Sequence, residues 1–168
     1  AEDLEMIGIA NYATDAIRLK YGMEKFDIPA KNFHMIPENE WAKEKMFDGL
    51  VGAYNSLMQA VVIRDAGESK LYMLATFIHE TLHFKSHNAL QLSEADEADP
   101  KKIPIVRSYR SGLMTRSRDG KEYYFSELNE AITEELSKRL MMGLLNNNEL
   151  QDVPLFAGEI RQTQDLAK

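Results

Sequence analysis

The chain has 168 residues, 44% of them hydrophobic, which is enough for one domain with a real core and leaves little room for a second. Its 27 acidic residues outnumber 20 Lys and Arg, and the formal net charge of −7 argues against a phosphate-binding surface and so against nucleic acid as a partner. Cysteine is absent, which excludes disulfides and thiolate metal sites and leaves any transition metal to His, Asp and Glu, with His34, His79, His83 and His87 the only histidines to search.

From Leu4 to Tyr21 the apolar residues Leu4, Ile7, Ala10, Tyr12, Ala16 and Leu19 recur at near-helical spacing and stop at a Tyr-Gly pair, which predicts a first helix. The short apolar stretch NFHMIP (32–37), closed by proline, suits a strand. Pro37 with acidic residues after it opens a short helix that ends before Gly49. Two β-favouring runs, LVGAY and QAVVIRD, flank the turn-prone NSL and read as a hairpin over 49–65. AGESK (66–70) is a loop in which Ser69 or Glu68 can act as a cap, and Leu71 to Asn88 follows as a helix. Its apolar start, Leu71 to Ala75 with Phe77 and Ile78, predicts burial on most sides.

The acidic SEADEADPKK (93–102) reads as a solvated loop. IPIVRSYRSGLMTRSRDGKEYYF (103–125) is basic and strand-like, and its RDGK offers an Asp-Gly turn between two extended segments. Ser126 can cap a last long helix with an apolar stripe of Leu128, Ile132, Leu136, Leu140 and Leu144. NNN (146–148) ends that helix and leaves 146–168 as a C-terminal tail. No apolar run approaches the roughly 20 residues that a membrane span requires. The chain therefore reads as one soluble domain over 1–168, and since it opens with AEDLEM a removed leader is compatible with it, so cytoplasmic and secreted locations both stay open.

Within the long buried helix, FIHETLHF (77–84) places His79 and His83 four apart with Glu80 beside the first. Positions four apart share a helix face about 6 Å apart along the axis, so both imidazoles can reach one ion. Glu80, rotated by about 100°, can reach a metal-bound water without itself binding the metal. Zinc lowers the pKa of its water to about 7, and an adjacent carboxylate can take the proton as that water attacks a carbonyl. The rival account is a buried helix whose histidines bond to backbone or to each other. Burying two unpaired imidazoles and a carboxylate is costly, and a bound cation compensates it.

A tetrahedral site needs a third protein ligand. His87 continues the four-residue series but lies about 12 Å along an unbroken helix from His79, too far for ligand bonds near 2 Å, and reads as a rim histidine. The acidic loop offers Glu94, Asp96, Glu97 and Asp99, although a charge run beside proline is more often solvated. In SELNEAITEEL (126–136), Glu130 and Glu134 stand four apart at the margin of the apolar stripe and can face one point. They can equally belong to a charged outer surface with Glu127, Glu135, Lys138 and Arg139.

HETLH with LNEAITEEL downstream resembles the gluzincin metallopeptidases of the thermolysin type, in which a second helix supplies a glutamate ligand from an Asn-Glu pair. The resemblance implies Glu130 as third zinc ligand, Glu80 as general base, and Asn129 and Glu134 as partners that hold His83 and His79 in position. It also implies an α+β zincin domain, a small twisted mixed sheet packed on the helix bearing His79, with the helix bearing Glu130 behind it. GAYNSLMQAVVIRD looks like the family's edge strand, to which an extended peptide substrate can add by main-chain hydrogen bonds. The pattern spans about residues 30 to 145 and is firm at 79–83 and 129–134. HFKSHNAL lacks the glycine and the third histidine of the metzincins.

The interval between the two motifs is longer than in compact members. No histidine follows the last helix to take the part of thermolysin's transition-state helper, so the chain is most similar to the single-domain minigluzincins. Tyr123 and Tyr124 are candidate donors to an oxyanion, of which one strand face can present only one, with Tyr109, Arg107 and Arg110 as weaker ones. Two rivals stand beside a zinc metalloendopeptidase. One is a latent or non-catalytic zinc-binding or interaction module, plugged by DVPLFAGEIRQTQ (152–164), and the other is a helical domain without metal.

Overall fold

The computed structural model describes residues 2–92, 106–117 and 121–166. The acidic loop with Glu94, Asp96, Glu97 and Asp99, and the Asp-Gly pair of RDGK, lie outside the described residues. The chain is an α+β domain with two small sheets.

Helix α1 (Glu2–Lys20) leads through an extended segment to β1 (Phe33–Pro37) and the single turn α2 (Glu38–Trp41), where Trp41 stacks on Phe47. The expected hairpin is present as β2 (Gly52–Asn55) and β3 (Ala60–Asp65). The Asn55 carboxamide closes its turn by accepting the N–H groups of Leu57 and Met58, both at 3.0 Å. β3 lies between β1, its parallel neighbour, and β2, its antiparallel one, so this mixed sheet runs β1-β3-β2 with β2 at an edge.

Helix α3 (Lys70–Lys85) is the pillar of the molecule and packs against α1, α4, α5, β2 and β3. Ser69 caps it, its Oγ accepting the Tyr72 N–H at 3.2 Å. Met73, Leu74, Phe77 and Ile78 are buried in the core together with Met6, Ala10, Val61 and Ile63. The helix stops at Lys85 rather than Asn88, because Ser86 turns to extended backbone and caps the end by donating its Oγ–H to the His83 carbonyl at 2.6 Å.

The residues freed by that early stop form a strand that the sequence pattern does not predict, β4 (Asn88–Leu92). It opens an antiparallel sheet with β5 (Val106–Ser111), β6 (Met114–Arg116) and β7 (Tyr123–Tyr124) in that order. The β5–β6 connection is a two-residue turn whose first residue, Gly112, has φ +59°, the left-handed geometry that glycine supplies in tight hairpins.

Helix α4 (Ser126–Asn146) starts after Phe125, whose backbone sits at φ 60°, and the Ser126 side chain is not its cap. The expected apolar stripe is only half buried. Leu144 is in the core, whereas Leu128 and Ile132 are exposed, and α4 turns Asn129, Thr133 and Ser137 toward α3. A similar rotation affects α1, where Leu4, Tyr12 and Leu19 face solvent and Asn11, Thr14 and Asp15 are buried. Lys85 explains that face: its Nζ donates to Asp15 Oδ1 at 2.7 Å and to the Asn11 carbonyl at 3.1 Å, which ties α1 to the end of α3.

The expected tail contains a docked helix, α5 (Pro154–Leu166). Phe156 and Ile160, with Leu150 before them, enter the core, and Glu159 reaches the start of α3. Within the 152–164 segment expected as a plug, Phe156 and Ile160 are thus committed to the core and Glu159 to the start of α3.

Candidate metal centre

Two helices build the cluster. α3 contributes His79, Glu80 and His83 from consecutive turns, and α4 contributes Asn129, Glu130 and Glu134 from its first half. The Nε2 atoms of His79 and His83 are 3.1 Å apart, and the rings meet edge-on at 66°. Glu130 Oε2 lies 3.2 Å from His83 Nε2 and 3.4 Å from His79 Nε2. These three atoms form a nearly equilateral triangle, and His79, His83 and Glu130 are the group of donors able to hold a metal ion among the described residues.

Donors bonded at about 2.0–2.1 Å to a tetrahedral ion are about 3.3 Å from one another. Edges of 3.1, 3.2 and 3.4 Å fit that face closely. Two imidazole nitrogens and one carboxylate oxygen suit several divalent transition ions, zinc among them.

The next contacts hold the ligands in place. Asn129 Nδ2 lies 3.4 Å from His83 Nδ1, while Asn129 Oδ1 accepts the Leu113 N–H at 2.9 Å. A Cβ on Gly112 would run into that amide oxygen, so the glycine turn is what lets β5 and β6 approach Asn129. Glu134 Oε2 is 3.3 Å from His79 Nδ1, and its other oxygen pairs with Lys138 Nζ at 3.1 Å. Each ring thus has a polar partner on the side away from the triangle, which fixes its rotation.

The electrostatics follow from the crowding of carboxylates around two rings. Burial opposes charge on His79, yet its hydrogen bond to Glu130 and the nearby Glu80, Glu130 and Glu134 raise its pKa above the ordinary histidine value. The same hydrogen bonds from His79 and His83 hold Glu130 far below the usual carboxylate range. Glu80 is different in kind: burial pushes its pKa up, against the opposing pull of His83 and His79, and it is only 6% exposed. Gly52 of β2 packs directly on it, since a Cβ there would lie 2.9 Å from Thr76 Cγ2 and 3.0 Å from Glu80 Oε1.

A groove passes the cluster along β2. One half, of about 530 Å³, is lined by His79, Glu80, Glu130 and the apolar Tyr72, Met141 and Leu145. The other, of about 240 Å³, is lined by Glu80, His83, Asn129, Glu130 and Tyr54. Gly52 borders both halves. Gly52 and Tyr54 are thus groove residues that sequence reasoning did not single out. A lone glycine inside a strand pattern, with a large residue two positions on, was the available signal.

Other candidates fall elsewhere. Tyr123 and Tyr124 stand exposed on β7, with the Arg116 guanidinium 5.0 Å above the Tyr123 ring and the Tyr124 hydroxyl donating to Glu122, and neither lines the groove. Tyr109, Arg107 and Arg110 do not line it either. His34 and His87 are exposed and away from the cluster. No family model, curated protein or solved structure matches the chain, so the likeness to gluzincins rests on the motif residues alone.

Proposed function

We propose that the chain is a zinc-dependent metallopeptidase on a zincin-type fold, taking a peptide or protein substrate in extended form. The observation that carries this reading is the triangle of His79 Nε2, His83 Nε2 and Glu130 Oε2, with sides of 3.1 to 3.4 Å, beside a buried glutamate. A zinc ion held there would acidify water and polarise a carbonyl. His79, His83 and Glu130 would hold it.

The chain's own residues supply the remainder. Glu80, in its desolvated seat against Gly52, takes a proton from the attacking water and returns it to the departing amine as the C–N bond breaks. β2 pairs with β3 on one side only, and its outer edge can hydrogen-bond an extended backbone. Tyr72, Met141 and Leu145 give the larger half of the groove an apolar lining suited to a bulky apolar side chain of the substrate. No transmembrane step is called for, since among the described residues no helix is long and apolar enough to cross a membrane.

Metal content and cleavage of a mixed peptide library test the reading together. Glu80→Gln should keep the fold and bound zinc while kcat falls by about 10²–10⁴, whereas Glu130→Ala should weaken zinc binding by about 100-fold or more. Full hydrolysis by the Gln variant removes Glu80 from its role. A chain that binds zinc but cleaves nothing is instead the non-catalytic metal-binding module.

A further inference from the structure

A second cavity, of about 350 Å³, lies on the other side of the α3–α4 seam from the groove and takes no part in the proposed reaction. It combines two chemistries. Leu82, Leu113, Ile132 and Leu136 give it an apolar body, with Leu113 and Ile132 left exposed. Arg18, Lys85, His87 and Arg110 surround that body, and no Asp or Glu lines it.

Lys85 is already matched by buried Asp15 at 2.7 Å. The two arginines are not. Arg18 gives Nε to the Glu24 carbonyl at 2.8 Å and one terminal nitrogen to the Lys85 carbonyl at 3.4 Å, and Arg110 gives Nε to the Gly112 carbonyl at 2.8 Å. Among the described residues neither meets a carboxylate. These backbone contacts aim the guanidinium groups while leaving terminal N–H donors for a ligand. In a chain of net charge −7, a concavity that gathers two unmatched arginines and excludes acids is complementary to an anion. Its volume of about 350 Å³ is at the small end of the range for small-molecule pockets, about 300–1,000 Å³.

We propose that this cavity binds a small monocarboxylate with an aliphatic tail. The carboxylate meets the guanidinium groups of Arg110 and Arg18, and the tail lies along Leu82, Leu113, Ile132 and Leu136. A free inorganic anion would leave the apolar body unused, and a neutral amphiphile would leave the arginines unused. Asn129 borders both this cavity and the smaller half of the groove, but none of the six residues named here lines the groove, and octanoate binding is read without zinc or peptide cleavage.

Calorimetric titration of the full chain with octanoate, octanol and inorganic phosphate separates the contributions. Octanoate should bind with one-to-one stoichiometry, and the other two at least about ten-fold more weakly. Arg110→Gln should weaken octanoate by about ten-fold or more, with partial recovery in Arg110→Lys. Ile132→Trp, which fills the cavity from an exposed position and alters no charge, should abolish binding. Octanol or phosphate binding as tightly as octanoate overturns the proposal. So does unchanged octanoate affinity in either folded variant, or no binding by the wild-type chain.

Discussion

Asn129 shows how much one side chain settles. Its amide lies 3.4 Å from His83 Nδ1, and which of the two groups donates depends on the tautomer of the ring. With a cation at Nε2 the ring carries its proton on Nδ1, where an oxygen is the partner that can receive it. Asn129→Asp offers that oxygen and keeps an acceptor for the Leu113 N–H, so zinc affinity should stay within a few-fold of wild type. Asn129→Leu offers neither and should lose about 10–100-fold, measured by competition with a chelating dye. A Leu variant that binds zinc like wild type would show that His83 needs no partner. The nearness of His79 to His83 was legible from their helical spacing, whereas Glu130, Asn129 and Glu134 were pointed to by the likeness of LNEAITEEL to the second gluzincin helix rather than by spacing. Gly52 was visible as a residue but not as a contact, since what it touches, Glu80, comes from another element.

Among the elements, α3 carries the heaviest demands, and both its ends are secured by distant segments. At its start, Glu159 of α5 accepts the N–H of Lys70 at 2.7 Å, the N–H of Leu71 at 3.0 Å and the Ser69 hydroxyl at 2.7 Å. The carboxylate thereby satisfies first-turn N–H groups that have no partner inside the helix. Burial works against the Glu159 charge, yet these hydrogen bonds outweigh it and keep its pKa below the ordinary 4.5. The folded chain therefore takes up that proton less readily than the unfolded one, so the contribution is complete at neutral pH and fades as pH falls below about 4.5. Glu159→Ala should cost about 1–2 kcal/mol at pH 7 in urea unfolding. Glu159→Gln should flatten the acid limb of the stability profile, and an unflattened limb would assign that limb to other carboxylates. None of this was legible locally: periodicity finds a helix such as α1 or α4, but which face is buried depends on what packs there, and here that is Lys85 for α1 and α3 for α4.

For the molecule as a whole, the C-terminal segment is structural. Leu150, Phe156 and Ile160 are at most 8% exposed, and removing them forfeits about 1.5–3 kcal/mol per side chain, a large share of the about 5–15 kcal/mol that holds a domain together. A chain ending at Asn148 should therefore melt at lower temperature and lose zinc. Higher peptidase activity in that truncation would restore the plug. The α+β class, the β2–β3 hairpin and both motif helices could be anticipated from pattern, whereas β4 and the docking of α5 depend on long-range pairing that no local signal encodes.

From Asn129 to Ser137, the residues that α4 buries are small and polar: Asn129, Thr133, and Ser137, whose Oγ–H donates to the Ala75 carbonyl at 3.2 Å. Such a boundary hides little oily surface, so without an ion the first half of α4 is expected to open as a partial unit ahead of global unfolding. Amide protons over 127–137 should then exchange with deuterium sooner than those of α1, and slow on addition of zinc, which rivets one helix to the other. If the exchange of that stretch is indifferent to zinc, the ion does not join the helices.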